Sequence, residues 1–377
     1  MCDQLIGPTL YALNKYKNSN KNIVIFASNN YELNRLKSSL ANYIPSEDFI
    51  YFEEDELIRV EYISRSKEMN AQELYALDSL LNAQHKIILL SPSSLYRFYP
   101  NKNLFKAASF SLKINDVIDV NELVNKLTRC GYLKVNKIDQ SLQFAKRGDI
   151  VDVFPINSKN PIRIEFFDDQ IESIREFDIS TQLSINKIDS IKILPASILV
   201  LDSSDYENSK EIIVKLKEKS MKSLLDYGKK NLEIECDRLL EEIENGFLSS
   251  RNYKYYGLLN KNCNSIIDYI SNYDLIIANE EEFKRNKESL FLEADEFMNE
   301  LISAGKALLG VKYFSSSVNE VGNPIEIDVF NEFYSHKNSF ELPYKRVSFY
   351  NKHFKNVGLL INEYLKNNYK IICCIDE

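Results

Sequence analysis

Residues 143–194, QFAKRGDIVDVFPINSKNPIRIEFFDDQIESIREFDISTQLSINKIDSIKIL, restrict the fold more than any other part of the chain. Apolar and polar residues alternate over short runs rich in Ile, Val and Phe, the pattern of half-buried strands. Asn157-Ser158-Lys159-Asn160-Pro161 and Asp168-Asp169-Gln170 interrupt those runs with turn residues. The segment reads as a compact β-unit. Its clearest strand is Ile162-Arg163-Ile164-Glu165-Phe166-Phe167. Successive strand side chains point to opposite faces. If Ile162, Ile164 and Phe166 face a core, Arg163, Glu165 and Phe167 share the outer face. An exposed Phe beside an Arg has the composition of a protein-docking hot spot. The competing reading has Phe167 turning at the strand end and packing under a loop.

Before this unit, residues 1–108 alternate strands with helices. NIVIFAS at 22–28 and KIILL at 86–90 are apolar runs that predict buried strands. A helix after the first places Leu33, Leu36 and Leu40 on one face, with Ser28, Asn29 or Asn30 available as its cap. A short strand at 49–52 and a helix over 66–83 carrying Leu74, Leu77, Leu80 and Leu81 follow. This alternation argues a parallel sheet. From 109 the character changes. A helix over 120–130 turns Val120, Leu123, Val124 and Leu127 inward and ends at Gly131, and the β-unit then completes an α+β module over 109–197, inserted into the chain path of the first domain. Residues 198–330 are mainly helical, most clearly at 232–243 and 281–304, around a strand-like Leu275-Ile276-Ile277-Ala278. Residues 310–342 are polar and irregular, and fit either strands or a linker. Residues 331–377 read as the start of a further α/β domain, with a helix over 355–366 and an apolar strand at 371–375. A buried strand followed only by Asp376 and Glu377 predicts a piece of a longer protein.

With 377 residues the chain is long enough for two to four domains of about 100–200 residues. No apolar run approaches the ~20 residues of a membrane span, and the N-terminus lacks the basic-then-apolar layout of a secretion signal. The six cysteines, at 2, 130, 236, 263, 373 and 374, show no paired metal spacing, and the three histidines are isolated. This argues against a zinc site and for a reducing, cytoplasmic setting. The net charge of −8 shifts the expectation from nucleic acid toward protein partners.

Three motifs in the β-unit carry a family likeness. They are Arg147-Gly148-Asp149-Ile150-Val151-Asp152-Val153-Phe154-Pro155, Arg163-Ile164-Glu165-Phe166-Phe167-Asp168-Asp169, and Ile174-Arg175-Glu176-Phe177-Asp178. Together they resemble the UvrB-homology module found in the excision-repair protein UvrB and in bacterial transcription-repair coupling factors. Glu53-Glu54-Asp55-Glu56-Leu57, Glu73-Leu74-Tyr75-Ala76-Leu77 and Phe177-Asp178-Ile179-Ser180-Thr181-Gln182 follow the same order. The resemblance is densest over 22–195. Asp149 departs toward UvrB, because coupling factors often carry a small residue there.

Such a module normally sits in a helicase-type domain, so the resemblance directs attention to a nucleotide site. A phosphate loop needs glycines, a Lys for the β/γ-phosphates and a Ser/Thr on Mg²⁺. The matching Leu5-Ile6-Gly7-Pro8-Thr9-Leu10 keeps Gly7 and Thr9, but no Lys precedes Thr9, and Pro8 has no N–H. The second half of such a site is an apolar strand ending in Asp-Glu; here Asn279-Glu280 follows the strand, and Asn279 is uncharged. Ile375-Asp376-Glu377 has the same look with no phosphate loop before it, and reads as a plain strand end. The fold expected is therefore a degenerate helicase-like parallel-sheet domain with an inserted α+β module, binding no nucleotide.

This degeneracy favours the N-terminal region of a coupling factor over an active UvrB-type ATPase. The resemblance then implies a non-enzymatic fragment, without cofactor, that binds UvrA through Arg147, Arg163, Glu165 and Phe167. Arg147 enters from the resemblance alone. The parent would be an ATP- and Mg²⁺-dependent translocase on double-stranded DNA that meets stalled RNA polymerase through domains outside this chain. A non-specific DNA-binding domain is the alternative of a different class; it would show a basic groove.

Overall fold

The computed structural model describes residues 5–52, 67–330 and 354–367. The expectations at Cys2, 53–57, 331–353, 371–375, Cys373, Cys374 and Ile375-Asp376-Glu377 lie outside the described residues. In chain order the first elements are α1 (Ile6–Asn18), β1 (Asn22–Phe26), α2 (Asn30–Leu40), β2 (Phe49–Tyr51), α3 (Lys67–Leu80), β3 (Ile87–Leu90), α4 (Pro92–Tyr96) and α5 (Lys102–Ala108). Then come β4 (Phe110–Lys113), α6 (Val120–Arg129), β5 (Leu133–Lys134), β6 (Gln143–Arg147), β7 (Ile150–Val153), β8 (Ile162–Phe167), β9 (Gln170–Phe177), β10 (Ser184–Lys187) and β11 (Ser190–Ile193). The last are α7 (Ser203–Met221), α8 (Asp226–Glu244), α9 (Tyr253–Leu259), β12 (Tyr273–Ile277), α10 (Glu280–Ser303), β13 (Ile327–Val329) and α11 (Phe354–Lys366).

β1 and β3 are buried at every position, as continuous apolar runs in a doubly covered parallel sheet must be. The sheet runs β13-β12-β1-β3-β2, with all pairs parallel. One face packs on α1 and α2 through Leu13, Leu33, Leu36 and Leu40, and the other faces a larger core that includes Leu74, Leu77, Leu232, Leu239 and Tyr256. Lys15 of α1 reaches Glu326 at 2.6 Å and Asp328 at 2.8 Å, tying that helix to the edge strand. The polar 310–330 stretch, which the sequence left open as strands or a linker, contains both buried residues and a strand. Val311, Tyr313 and Phe314 are buried, and 327–329 adds strand β13. Three residues at a sheet edge are too short for a periodic signal.

Residues 109–197 build their own layers. β5 to β10 form a six-stranded sheet in the order β10-β9-β8-β7-β6-β5, and β4 pairs antiparallel with β11 as a separate two-stranded ribbon. The inner sheet face packs Val151, Val153, Ile162, Ile164, Phe166, Ile171 and Ile174 against Val120, Leu123 and Leu127 of α6. Asp119 starts that helix by accepting from the Asn121 and Glu122 N–H groups at 2.8 and 3.1 Å. Gly131, with φ +88°, ends it. A Cβ there would also meet the Phe247 ring at 2.0 Å. Gly148, with φ +60°, opens the two-residue β6–β7 turn, where Arg147 pairs with Ile150.

One irregularity matters for the faces. Ile171 and Ile174 are both fully buried, although strict alternation puts residues three apart on opposite sides. A β-bulge resolves this. The register shifts so that Phe166 faces Ile171 and Glu165 faces Ser173, leaving Glu172 as the extra residue.

Because the buried cluster around Leu123 draws only on residues 112–193, residues 109–197 expressed alone are expected to give one cooperative thermal transition by circular dichroism. Leu123→Ala is expected to lower that transition by about 2–5 kcal/mol of stability. A broad, gradual melt of the unsubstituted segment would show that it borrows its order from its neighbours.

Candidate functional site

β8 follows strict alternation: Ile162, Ile164 and Phe166 are buried, Arg163 and Glu165 half-buried, and Phe167 is 72% exposed. Phe167 ends the strand, pairs with Gln170, and precedes a turn in which Asp168 has φ +60°, a conformation Asp tolerates better than most residues. No loop among the described residues covers it, so the reading in which it packs beneath one does not hold.

Arg163 is committed within the sheet. Its Nε and Nη2 donate to the two carboxylate oxygens of Asp152 at 2.7 and 2.9 Å. The Asp152 carboxylate is almost fully buried, and the guanidinium lies 4.6 Å from the Phe177 ring centroid. The bidentate pair and the ring contact fix the planar group from two sides. Glu165 is similarly held, accepting from Arg175 and from Ser173 Oγ. Arg147 is exposed at the end of β6 and donates to the Asn136 carbonyl at 2.9 Å. The strand register sets Arg147, Ile150, Glu165 and Ser173 in one row across four strands. Of the sequence-selected residues, Arg147, Arg163, Glu165 and Phe167 thus share one face, but only Arg147 and Phe167 stand free of a carboxylate or guanidinium partner.

In an open parallel sheet, ligands enter the crevice beyond the carboxyl ends of the strands, where the strand order reverses. Here that place lies between β1 and β12, and several side chains of the protein are hydrogen-bonded there. Asn29 caps α2 by accepting from the Glu32 N–H at 2.8 Å, while the Glu32 carboxylate accepts from the Ser28 N–H. Asn279 caps α10, accepting from the Glu282 N–H at 3.2 Å and donating to the Glu282 carboxylate at 3.1 Å. Asn286 of α10 donates to the Ser28 carbonyl at 2.8 Å. Glu280 pairs with Lys284 at 2.6 Å. Gly7 and Thr9 lie inside α1 rather than in an open loop, and the Thr9 N–H is spent on the Leu5 carbonyl at 2.9 Å. The Thr9 Oγ1 is buried without a hydrogen bond among the described residues. Burial pushes the thiols of Cys130 and Cys236 up to about 11 and that of Cys263 up to about 12, so they stay protonated at neutral pH. Among the described residues no His, Cys, Asp and Glu cluster fits a metal ion, and no helix is long and apolar enough to cross a membrane.

The sheet carrying Phe167 also matches a known family. Residues 110–199 match the UvrB interaction domain, spanning the β4–β11 ribbon and the sheet between its strands. Over 324 residues, or 82% of its length, the chain is 27% identical to the transcription-repair-coupling factor of Staphylococcus aureus (strain bovine RF122 / ET3-1). Over 312 residues, or 81%, it is 27% identical to the transcription-repair-coupling factor of Bacillus subtilis (strain 168). The chain spans about a quarter of the length of these curated relatives, 27% and 26%.

Sequence reasoning about the inserted module missed the partners of Arg163 and Glu165. Asp152 was visible in the Arg147–Pro155 motif, but only the β7–β8 register brings it opposite Arg163. It also missed Val117, which is 69% exposed and bridges to Gln170.

Arg163 and Phe167 are therefore expected to part company in stability. Arg163→Ala leaves the Asp152 carboxylate buried and unpaired, which should cost about 2–4 kcal/mol, somewhat below a fully buried pair because Arg163 is partly solvated. Phe167→Ala should change stability by no more than about 0.5 kcal/mol. Thermal melts of the two variants check this, and equal, small shifts would show the ion pair to be immaterial. Adding Asp152→Ala to Arg163→Ala should recover part of the loss.

Proposed function

We propose that this chain is the UvrA-docking part of a transcription-repair coupling factor acting in the cytoplasm. Its UvrB interaction domain presents Arg147, Arg163, Glu165 and Phe167 to UvrA. Phe167 enters an apolar socket of the partner, Arg147 flanks it, and the Asp152–Arg163 and Glu165–Arg175 pairs keep the strand rigid. The observation that carries this reading is Phe167, 72% exposed on a strand whose other aromatic residue is buried. Keeping so large an apolar side chain in water is explained by a surface that covers it. The relation to coupling factors over 82% of the chain supports the same reading.

The parallel-sheet domain is a degenerate helicase-like frame that binds no nucleotide. The absent Lys before Thr9, the helical placement of Gly7 and Thr9, and the use of Asn279 as a cap support this. ATP-driven DNA translocation and the RNA polymerase contact belong to the parent protein beyond this chain, which itself catalyses nothing.

Calorimetry with UvrA is expected to show saturable binding, weakened about thirtyfold by Phe167→Ala, the loss typical of a hot-spot residue of about 2 kcal/mol. Unchanged affinity in a variant that melts like the parent would place the docking surface elsewhere. Calorimetry with Mg-ATP is expected to show no saturable heat. A micromolar dissociation constant would instead favour a UvrB-type ATPase.

A further inference from the structure

Phe167 is one end of a longer exposed row. It pairs with Gln170 across the β8–β9 turn, and Gln170 in turn bridges to Val117 in the connection before α6. Residues directly opposite one another in a sheet share a face, so Phe167, Gln170 and Val117 point the same way. The two apolar ends stand about 10 Å apart, two strand spacings, and are 72% and 69% exposed. Backbone bonds hold the Val117 end in place. The Asn115 and Ile118 N–H groups donate to the Ile171 and Asp169 carbonyls at 2.9 and 2.8 Å, and the Ile171 N–H returns a bond to the Asp116 carbonyl at 2.9 Å. Val117 is thus presented by a fixed strand-like segment, with Ile118 buried beneath it.

The rim of this row is acidic. Asp149 lies in the β6–β7 turn, Asp168 and Asp169 in the β8–β9 turn, and Glu172 at the bulge. All four are exposed, and none of their carboxylates has an ion pair or side-chain hydrogen bond among the described residues. The Phe166 N–H donates to the Asp149 carbonyl at 2.9 Å, which brings that turn alongside the end of β8. Arg147, at the neighbouring strand end, is the base nearest this group in the strand register.

We infer that the docking surface is the whole Phe167–Gln170–Val117 row, and that the UvrA surface it takes is an elongated apolar slot edged by lysines or arginines. This deepens the docking reading above and rests on it. An apolar bar with unpaired carboxylates around it is complementary to such a surface, and a partner edged with acids would be repelled by the same rim. The rim charges would steer association, so affinity should fall as salt rises.

The test is calorimetry and association kinetics of the full chain with UvrA at low and at physiological salt. Four proteins are compared: the parent chain, Phe167→Ala, Val117→Ser, and Asp168→Asn combined with Asp169→Asn. Asn keeps the left-handed backbone that Asp168 adopts, so the last variant removes charge without straining the turn. Thermal melts confirm that each variant folds. Val117→Ser is expected to bind about tenfold more weakly. The double Asn variant is expected to associate more slowly and with a shallower salt dependence. If Phe167→Ala loses binding while Val117→Ser binds like the parent, the row is wrong and the docking reading stands. If the double Asn variant binds more tightly, the partner edge is acidic and the inference falls. If Phe167→Ala also binds like the parent, or the parent chain does not bind, the docking reading falls and the inference with it.

Discussion

The pairing of Asn22–Phe26 with Tyr273–Ile277 is the contact on which the rest of the arrangement depends. β1 is buried on both faces, so its N–H and C=O groups need strands on both sides. One neighbour, β3, is local; the other comes from the last third of the chain. Everything between must leave the sheet and return to it. The inserted module over 109–197 solves this topologically. Its outgoing strand Phe110–Lys113 and returning strand Ser190–Ile193 pair antiparallel with one another. An insertion that enters and leaves through one ribbon places its ends side by side, and so leaves the parent sheet's closure intact. Such a non-local pairing carries a large loop-closure entropy, and the double burial of β1 and β12 opposes that cost.

The same pairing defines the crevice at the carboxyl edge of the sheet, where open α/β folds receive ligands. In this chain Asn29 and Asn279 turn that edge inward by capping α2 and α10. A side chain that satisfies the first amides of a helix removes the donors that would otherwise attract an anion. At this edge the capping side chains tie α2 and α10 to the frame, while the inserted sheet carries the exposed Phe167.

How much of this was legible in the sequence depended on the range of the interaction. The strand alternation of Ile162–Phe167, the helix over Val120–Arg129 and the buried runs at 22–28 and 86–90 follow from local periodicity, and the structure builds each of them. What was not legible required register. Nothing local marks Asp152 as the partner of Arg163, because that pair exists only once β7 lies antiparallel to β8. Ile171 and Ile174 could not both be assigned inward from alternation, because the bulge at Glu172 breaks the period between them. Val117 gave no signal at all, since a single Val between turn residues acquires its meaning from the bridge to Gln170. β13 could not be told from a linker for the related reason that three edge residues carry too little pattern.

β8 presents two chemically different faces. Its inner face is ordinary core. Along its outer face the chemistry changes by position: Arg163 is paired and stacked, Glu165 is paired, and Phe167 is free. The paired residues lie nearer the strand's start, where Phe177, Ala145 and Ile138 form a small second core on that side. The free residue lies at the turn, where a partner can approach without displacing anything. A guanidinium already held by Asp152 contributes little new attraction to a docking protein. It holds the strand that carries Phe167 in a single geometry before binding, and ordering that is already complete need not be supplied by the partner. Substituting Arg163 therefore acts on the rigidity of β8, whereas substituting Phe167 removes an exposed ring and leaves the strand's ion pairs in place.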